Sequence, residues 1–391
     1  MDWWYKMNKL CIYLPPLAPD YSGVCSALYE LNGMSIIHDA SGCTGNYTGF
    51  DEPRWYDDQR FIFCSGLREI DAVLGDDDKL IRKTLEANDD LKPEFIAILG
   101  SPVPMVIGSD MNGIAKEMEY DSGKPCLGFD TTGLNYYDVG IKKAYLKMAE
   151  RFLSSTNEKI KNSINLLGVT PLDFGIKNNV SDLKNIFIKN NIKINSCWSM
   201  GTSLKEIKET TKAEMNLVVS VSGLELARYL KKKYDMPYCV GVPVGDYGIK
   251  RCLSLIKNNI EFKENLKKKI LRKEKTLIIG EQVLSNALRD VLINEYDFET
   301  VNVATFFMMD KEIKDEKDFV IENESYLIEK FKKDNYEFVI GDPLIKQLLP
   351  NGSKTKFIEL PHVAVSSKIC WDNSIDIMGK GAYEILNKVN N

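Results

Sequence analysis

The chain is 391 residues long, more than one ordinary core organises and enough for two or three domains of about 100–200 residues each. Hydrophobic residues make up 44% and charged residues 27%, a globular composition without the bias of disorder. The net charge of −5 gives no strong pull toward nucleic acid, and no apolar run nears the roughly 18 residues that cross a bilayer. The opening Met1-Asp2-Trp3-Trp4-Tyr5-Lys6 lacks a basic region followed by a long apolar one, so a cytoplasmic location is expected. There the nine cysteines, an odd number, should stay reduced, some as buried apolar residues and others as metal ligands.

The first third is the densest in candidate chemistry. Cys11, Cys25, Cys43 and Cys64 fall there among glycine, proline and aromatic residues. In Ser41-Gly42-Cys43-Thr44-Gly45, glycines flank a thiol, and small neighbours let backbone N–H groups approach a bulky ligand. The spacings match neither the paired C-x-x-C of a zinc ribbon nor a ferredoxin run, so by spacing alone a structural role outweighs a ligand role. His38-Asp39, after an apolar run, reads equally as a buried loop cap or as a group acting on a bound cofactor. Asp51-Glu52-Pro53-Arg54 reads either as a buried ion-pair network or as a docking surface.

From Glu94 onward, short apolar runs alternate with helical patterns. Strands are predicted at 95–99, 164–169, 217–221, 276–280, 337–341 and 356–360, and helices at 141–152, 223–233, 282–294 and 325–333. Continuous apolar strands separated by helices indicate parallel sheets covered on both faces, an α/β class with doubly wound architecture. Several strands end in a small residue before a helix, as at Gly100-Ser101-Pro102, Gly280-Glu281 and Gly341-Asp342-Pro343, where open α/β sheets bind ligands. The pattern divides into three blocks, 1–155, 156–260 and 261–391, joined by lysine- and asparagine-rich stretches near 155–162 and 258–275. The lysine runs 231–233 and 267–269 read as solvated helix faces. His362 follows the last strand, a position that more often holds a hydrogen-bonded structural histidine than a working one.

Four segments in the first block resemble the nitrogenase component 1 family. Ile37-His38-Asp39-Ala40-Ser41-Gly42-Cys43 resembles its "HGPxGC" segment, whose cysteine holds a cluster. Ser65 to Gly75, Ser101 to Asp110 and Pro125 to Gly133 resemble the three segments that follow, in the same order and spacing. A weaker likeness runs from Asn216 to Pro237. The resemblance implies three doubly wound, mainly parallel-sheet domains around a central cleft. It also implies an iron–sulfur cluster, electrons from a separate P-loop ATPase iron protein, and a second component 1 subunit, either a copy of this chain or a paralogue. The chain has no G-x-x-x-x-G-K-[ST] loop of its own, so ATP hydrolysis is expected of the partner.

Departures from the family pattern narrow those expectations. The family's first and third cluster cysteines fall on Pro19 and Ser101, and only Cys43 carries over. Cys25 and Cys64 are possible replacement thiolates, with Gly42 and Gly45 beside the cluster. Cys11 and Cys126 are further options, as are Asp20 and Asp39, because a protochlorophyllide-reducing relative uses an aspartate ligand. A single [4Fe–4S] cluster shared between subunits is therefore expected in place of an eight-iron one. The cysteine that holds the nitrogenase active-site cofactor falls on Ser220, and its histidine falls near His362, so dinitrogen chemistry is not expected. His362, His38 and Asp39 are the candidate acid–base groups for reducing some other acceptor in the cleft. A non-enzymatic scaffold for cluster assembly and transfer is the alternative.

Overall fold

The computed structural model describes residues 12–257, 271–373 and 375–390. Met1–Lys6, Cys11 and the lysine run 267–269 lie outside the described residues. Three sheets follow one another along the chain, and within each sheet every strand pairing is parallel. The first holds β1 (Met34–Ile37), β2 (Ile62–Cys64), β3 (Ile96–Leu99) and β4 (Cys126–Phe129) in the order β2-β1-β3-β4. The second holds β5 (Ile160–Val169), β6 (Lys193–Ser199), β7 (Ala213–Val218) and β8 (Tyr238–Val240) in the matching order β6-β5-β7-β8. The third adds β9 (Thr276–Ile279), β10 (Val301–Thr305), β11 (Phe319–Val320), β12 (Phe338–Gly341) and β13 (Lys356–Glu359), ordered β11-β10-β9-β12-β13.

In each sheet the first strand lies in the interior and the chain then winds outward in both directions. The winding reverses beside β1, β5 and β9, which opens a crevice at the carboxyl end of each of those strands. The central strands are buried throughout, as Ile96–Leu99 and Thr276–Ile279 show, because helices cover both faces. Helix Leu224–Tyr234 illustrates the covering layer. Leu224, Leu226, Ala227 and Leu230 face inward, while Lys231, Lys232 and Lys233 stand in solvent in the last turn, where cations complement the helix dipole.

The third sheet does not end the third body of structure cleanly. After β13, residues 363–373 return to the first sheet's layer, where Ala364 O accepts from Ala18 N–H and Trp371 meets Tyr56 edge-on. Residues 375–390 then reach the second, where Gly379 bridges Val244 and Ile377 N–H donates to Asn179. The C-terminal stretch thus straps the sheets together. No helix among the described residues is long and apolar enough to cross a membrane.

Candidate functional site

The first crevice opens between β1 and β3. β1 delivers His38 and Asp39, β3 delivers Ser101, and the short helix Gly42–Asn46 stands above them carrying Cys43. Asp39 is buried and holds that helix down: its Oδ2 accepts the Cys43 N–H at 2.8 Å. Ser101 Oγ donates to the His38 carbonyl at 2.8 Å, tying the two strand ends together. The Cys43 thiol is half-exposed and is in hydrogen-bonding contact with the Tyr21 hydroxyl, Asp39 and Ser101. Burial pushes the thiol above its ordinary titration range. The Tyr21 and Ser101 hydrogen bonds oppose that shift, and the Asp39 charge adds to it.

His38 is itself buried, with Nδ1 2.9 Å from Ser65 Oγ. Burial lowers its pKa despite the nearby Asp77, Asp39 and Asp71, so the ring is neutral at pH 7. Gly42 and Gly45 face open space, with no atom within 4 Å of where a side chain would begin. This glycine-flanked turn is the face that Cys43 presents outward.

The other expected ligands are placed differently. Cys64 lies beside the same loop, its thiol donating to the Asp39 carbonyl at 3.2 Å and accepting the Gly66 N–H. Cys25 is fully buried inside helix Asp20–Leu28, with its thiol pushed well up by burial and by Glu52. Cys126 starts β4 and so lies at the amino end of the sheet, away from Cys43. Asp20 is taken up by the loop after β4, accepting the N–H groups of Thr132 and Gly133 at 3.1 and 2.8 Å. The Asp51–Arg54 segment is a buried network. Glu52 bonds Arg54, Ser26 and Tyr47, and Arg54 also pairs with Glu30. Among the described residues no three His, Cys, Asp or Glu side chains converge to hold a metal, and the eight described cysteines are free thiols. Among the described residues Cys43 and Cys64 are the thiols at this loop, with Cys43 on its open face.

The second crevice lies where the carboxyl ends of β5, β7, β9 and β13 meet. β5 leads to Asp173, β7 to Ser220, β9 to Glu281 and β13 to His362, and all four are buried. Asp173, Glu281 and His362 line one cavity together with Asn179, Ser285 and Cys370. The space open to water there is about 30 Å³, enough for one or two waters and too little for a metallocofactor. His362 is held firmly: its N–H donates to Asp342 at 2.8 Å, its Nδ1 accepts the Ala364 N–H at 3.2 Å, and Phe307 stacks on the ring. Burial lowers its pKa to about 4, so it is neutral at pH 7.

The candidate acid–base groups thus occupy two separate crevices, His38 and Asp39 in the first and His362 in the second. Gly280-Glu281 stands among the strand ends marked in the sequence, whereas Asp173 escapes the sequence reading because a single buried carboxylate after a strand carries no pattern. The one signal for Asp173 is position, four residues past the end of β5 in the short helix Pro171–Phe174.

Comparison with known proteins bears on the family and the fold. The model of nitrogenase component 1 type oxidoreductases matches residues 19–348. A light-independent protochlorophyllide reductase subunit from Crocosphaera subtropica is 21% identical over 270 residues, covering 60% of this chain and 53% of that protein. Its counterpart from Chlorella vulgaris is 27% identical over 192 residues, covering 46% and 37%. The chain thus matches about half or less of the length of these curated relatives. Solved structures of nitrogenase Cp1 at pH 6.5 and at pH 5 superpose with TM-scores of 0.73 and 0.71 at 15% and 16% identity. Each covers 98% of this chain, and the chain covers 93% and 89% of them, a likeness of fold. With a family match across most of its length and three parallel sheets in that architecture, the chain belongs to the nitrogenase component 1 type oxidoreductase family.

Proposed function

We propose that this chain is a cytoplasmic reductase component that accepts single electrons through an iron–sulfur cluster and passes them to an acceptor in the interdomain cleft. Cys43 holds one iron of a [4Fe–4S] cluster, and a second copy of the chain or a paralogous subunit completes the ligand set, with Cys64, beside the same loop, an additional thiol on this chain. A P-loop iron protein supplies the electrons at the cost of ATP. When bound, the cluster supplies one-electron transfer; the chain's own residues orient it and hold protons.

Asp39 fixes the Cys43 turn, Tyr21 donates toward the thiolate, Ser101 ties the strand ends beneath it, and the neutral His38 lies behind them. His362 presents its ring to the cleft. The observation that carries the reading is Cys43 on an outward, glycine-flanked turn beside a family-typical strand end. Anaerobic purification with iron and sulfide analysis tests it. Iron that is lost in Cys43→Ala is the expected result, and a chain that stays iron-free after reconstitution in both forms sinks the cluster.

The scaffold reading gains support from the small free volume at His362, which leaves little room for a substrate. Transfer of a cluster to an apo-protein without turnover of any acceptor favours that reading. ATP-dependent reduction of an acceptor with an iron protein favours the reductase.

A further inference from the structure

Three domains each contribute a buried carboxyl group to one junction: Asp138 from helix Tyr137–Phe152, Asp173 after β5, and Glu281 after β9. No lysine or arginine lines the cavity that Asp173 and Glu281 border. Glu281 has a firm reason to carry charge. Its two oxygens accept the backbone N–H groups of Val221, Val283 and Leu284 at 2.7, 3.0 and 2.8 Å, the last two at the start of helix Gln282–Glu295. Asp173 lacks any such anchor. Its partners are the hydroxyls of Tyr137, Thr170 and Ser220. Two carboxylates beside one another in a buried site do not both ionise, so the charge settles on Glu281 and the proton on Asp173.

His362 adds an independent observation. Because Nδ1 accepts the Ala364 N–H, the neutral ring carries its proton on Nε2. That Nε2–H is fully buried, makes no hydrogen bond, and points toward Asp173 Oδ1 at 3.7 Å across the cavity. A buried donor aimed into a polar space marks a place for an acceptor or a developing negative charge.

We propose that Asp173 is the proton donor of the interdomain cleft, holding a carboxylic proton at neutral pH for an acceptor that becomes negatively charged on reduction. In the step, the Asp173 O–H bond breaks and its proton joins the electron pair on the acceptor atom. The electrons come from a low-potential iron–sulfur electron-donor protein. The aspartate left behind accepts from Tyr137, Thr170 and Ser220 and faces the His362 Nε2–H, and solvent then returns the proton. One or two waters in the cavity carry the proton to an acceptor too large to enter. Burial and the Glu281 charge together raise the Asp173 pKa well above its ordinary value, and Asp138, Tyr137, His362 and Cys370 are the other titratable groups facing it. The delivery role rests on the reductase reading, whereas the protonated state does not.

Infrared spectroscopy of the purified chain is the test. At pH 7 the wild type should show carbonyl bands of protonated carboxylic acids, and Asp173→Asn should remove the one component that persists above the raised range of Glu281 and Asp138 and shifts within minutes of transfer to D₂O. In Glu281→Gln, a variant that does not depend on Asp173→Asn folding, the band should persist and titrate away at lower pH than in the wild type. Loss of the band in Glu281→Gln at every pH places the proton on the wrong residue and overturns the proposal. Absence of any such band at pH 7 also overturns it. A band that resists exchange for hours marks a sealed structural acid and overturns delivery. Iron content, measured on the same samples, reports on the reductase reading separately.

Discussion

Cys43 is a thiol whose reactivity is set by burial and three neighbours. Burial and the Asp39 charge hold it protonated, while Tyr21 and Ser101 favour the thiolate. Since the thiolate is the reactive form, alkylation by iodoacetamide at pH 7 should be slower than for a free cysteine and rise about tenfold per pH unit. Tyr21→Phe removes a hydrogen bond that lowers the thiol's pKa, so the pH–rate curve should move to higher pH. A faster reaction in that variant would show that Tyr21 does not donate to the sulfur. Asp39→Ala strips the acceptor from the Cys43 N–H, and leaving that donor unpaired should cost about 1–3 kcal/mol in denaturant unfolding. At this scale the sequence was legible where glycine marks a close approach, as around Cys43. It marked the Gly280-Glu281 strand end but was silent on Asp173 and on the pairing of the two, which belong to different sheets and acquire a relationship only when the sheets pack.

At the scale of elements, two helices set the spacing between the crevices. Helix Asp20–Leu28 carries Tyr21 toward Cys43, and helix Tyr137–Phe152 carries Tyr137 and Asp138 into the cleft. They touch backbone to backbone through reciprocal glycines. A Cβ on Gly23 would lie 1.9 Å from Tyr137 O, and one on Gly140 would lie 1.9 Å from Asp20 O. Gly23→Ala must therefore push the helices apart, at a cost of about 1–3 kcal/mol or more. Thermal or denaturant unfolding measures that loss, and the iodoacetamide rate at Cys43 reports whether Tyr21 moved with its helix. An alanine variant as stable as the wild type would mean that the helices are not in contact as drawn.

The six predicted strands were readable because parallel, fully covered strands are continuous apolar runs; 276–280 and 337–341 differ from the observed strands by a residue. Boundaries failed where polar residues take structural roles. β5 begins at Ile160, inside the stretch read as a connection, and its first residues are solvent-facing. The predicted strand 217–221 stops at Val218, because Ser220 turns the chain and caps the short turn after it.

For the whole molecule, the junction of three carboxyl groups links stability to pH. Glu281 is raised from 4.5 to about 7 and Asp138 from 3.8 to about 6, in both cases mainly by burial. A carboxyl group whose folded pKa lies above its unfolded one binds its proton more tightly when folded. Its contribution is complete below about pH 4 and fades as pH rises through 6 and 7. The wild type should therefore lose stability between pH 5 and 7.5, on the order of 3 kcal/mol for a shift as large as that of Glu281. Glu281→Gln cannot ionise, and its amide oxygen still caps helix Gln282–Glu295, so the variant should decline less steeply over the same range. The comparison is made by denaturant unfolding of both proteins at half-unit pH steps. Parallel curves would show that the charge on Glu281 is not opposed by its surroundings. The three sheets would then be held together by packing alone, chiefly the apolar contacts among them and the C-terminal strap.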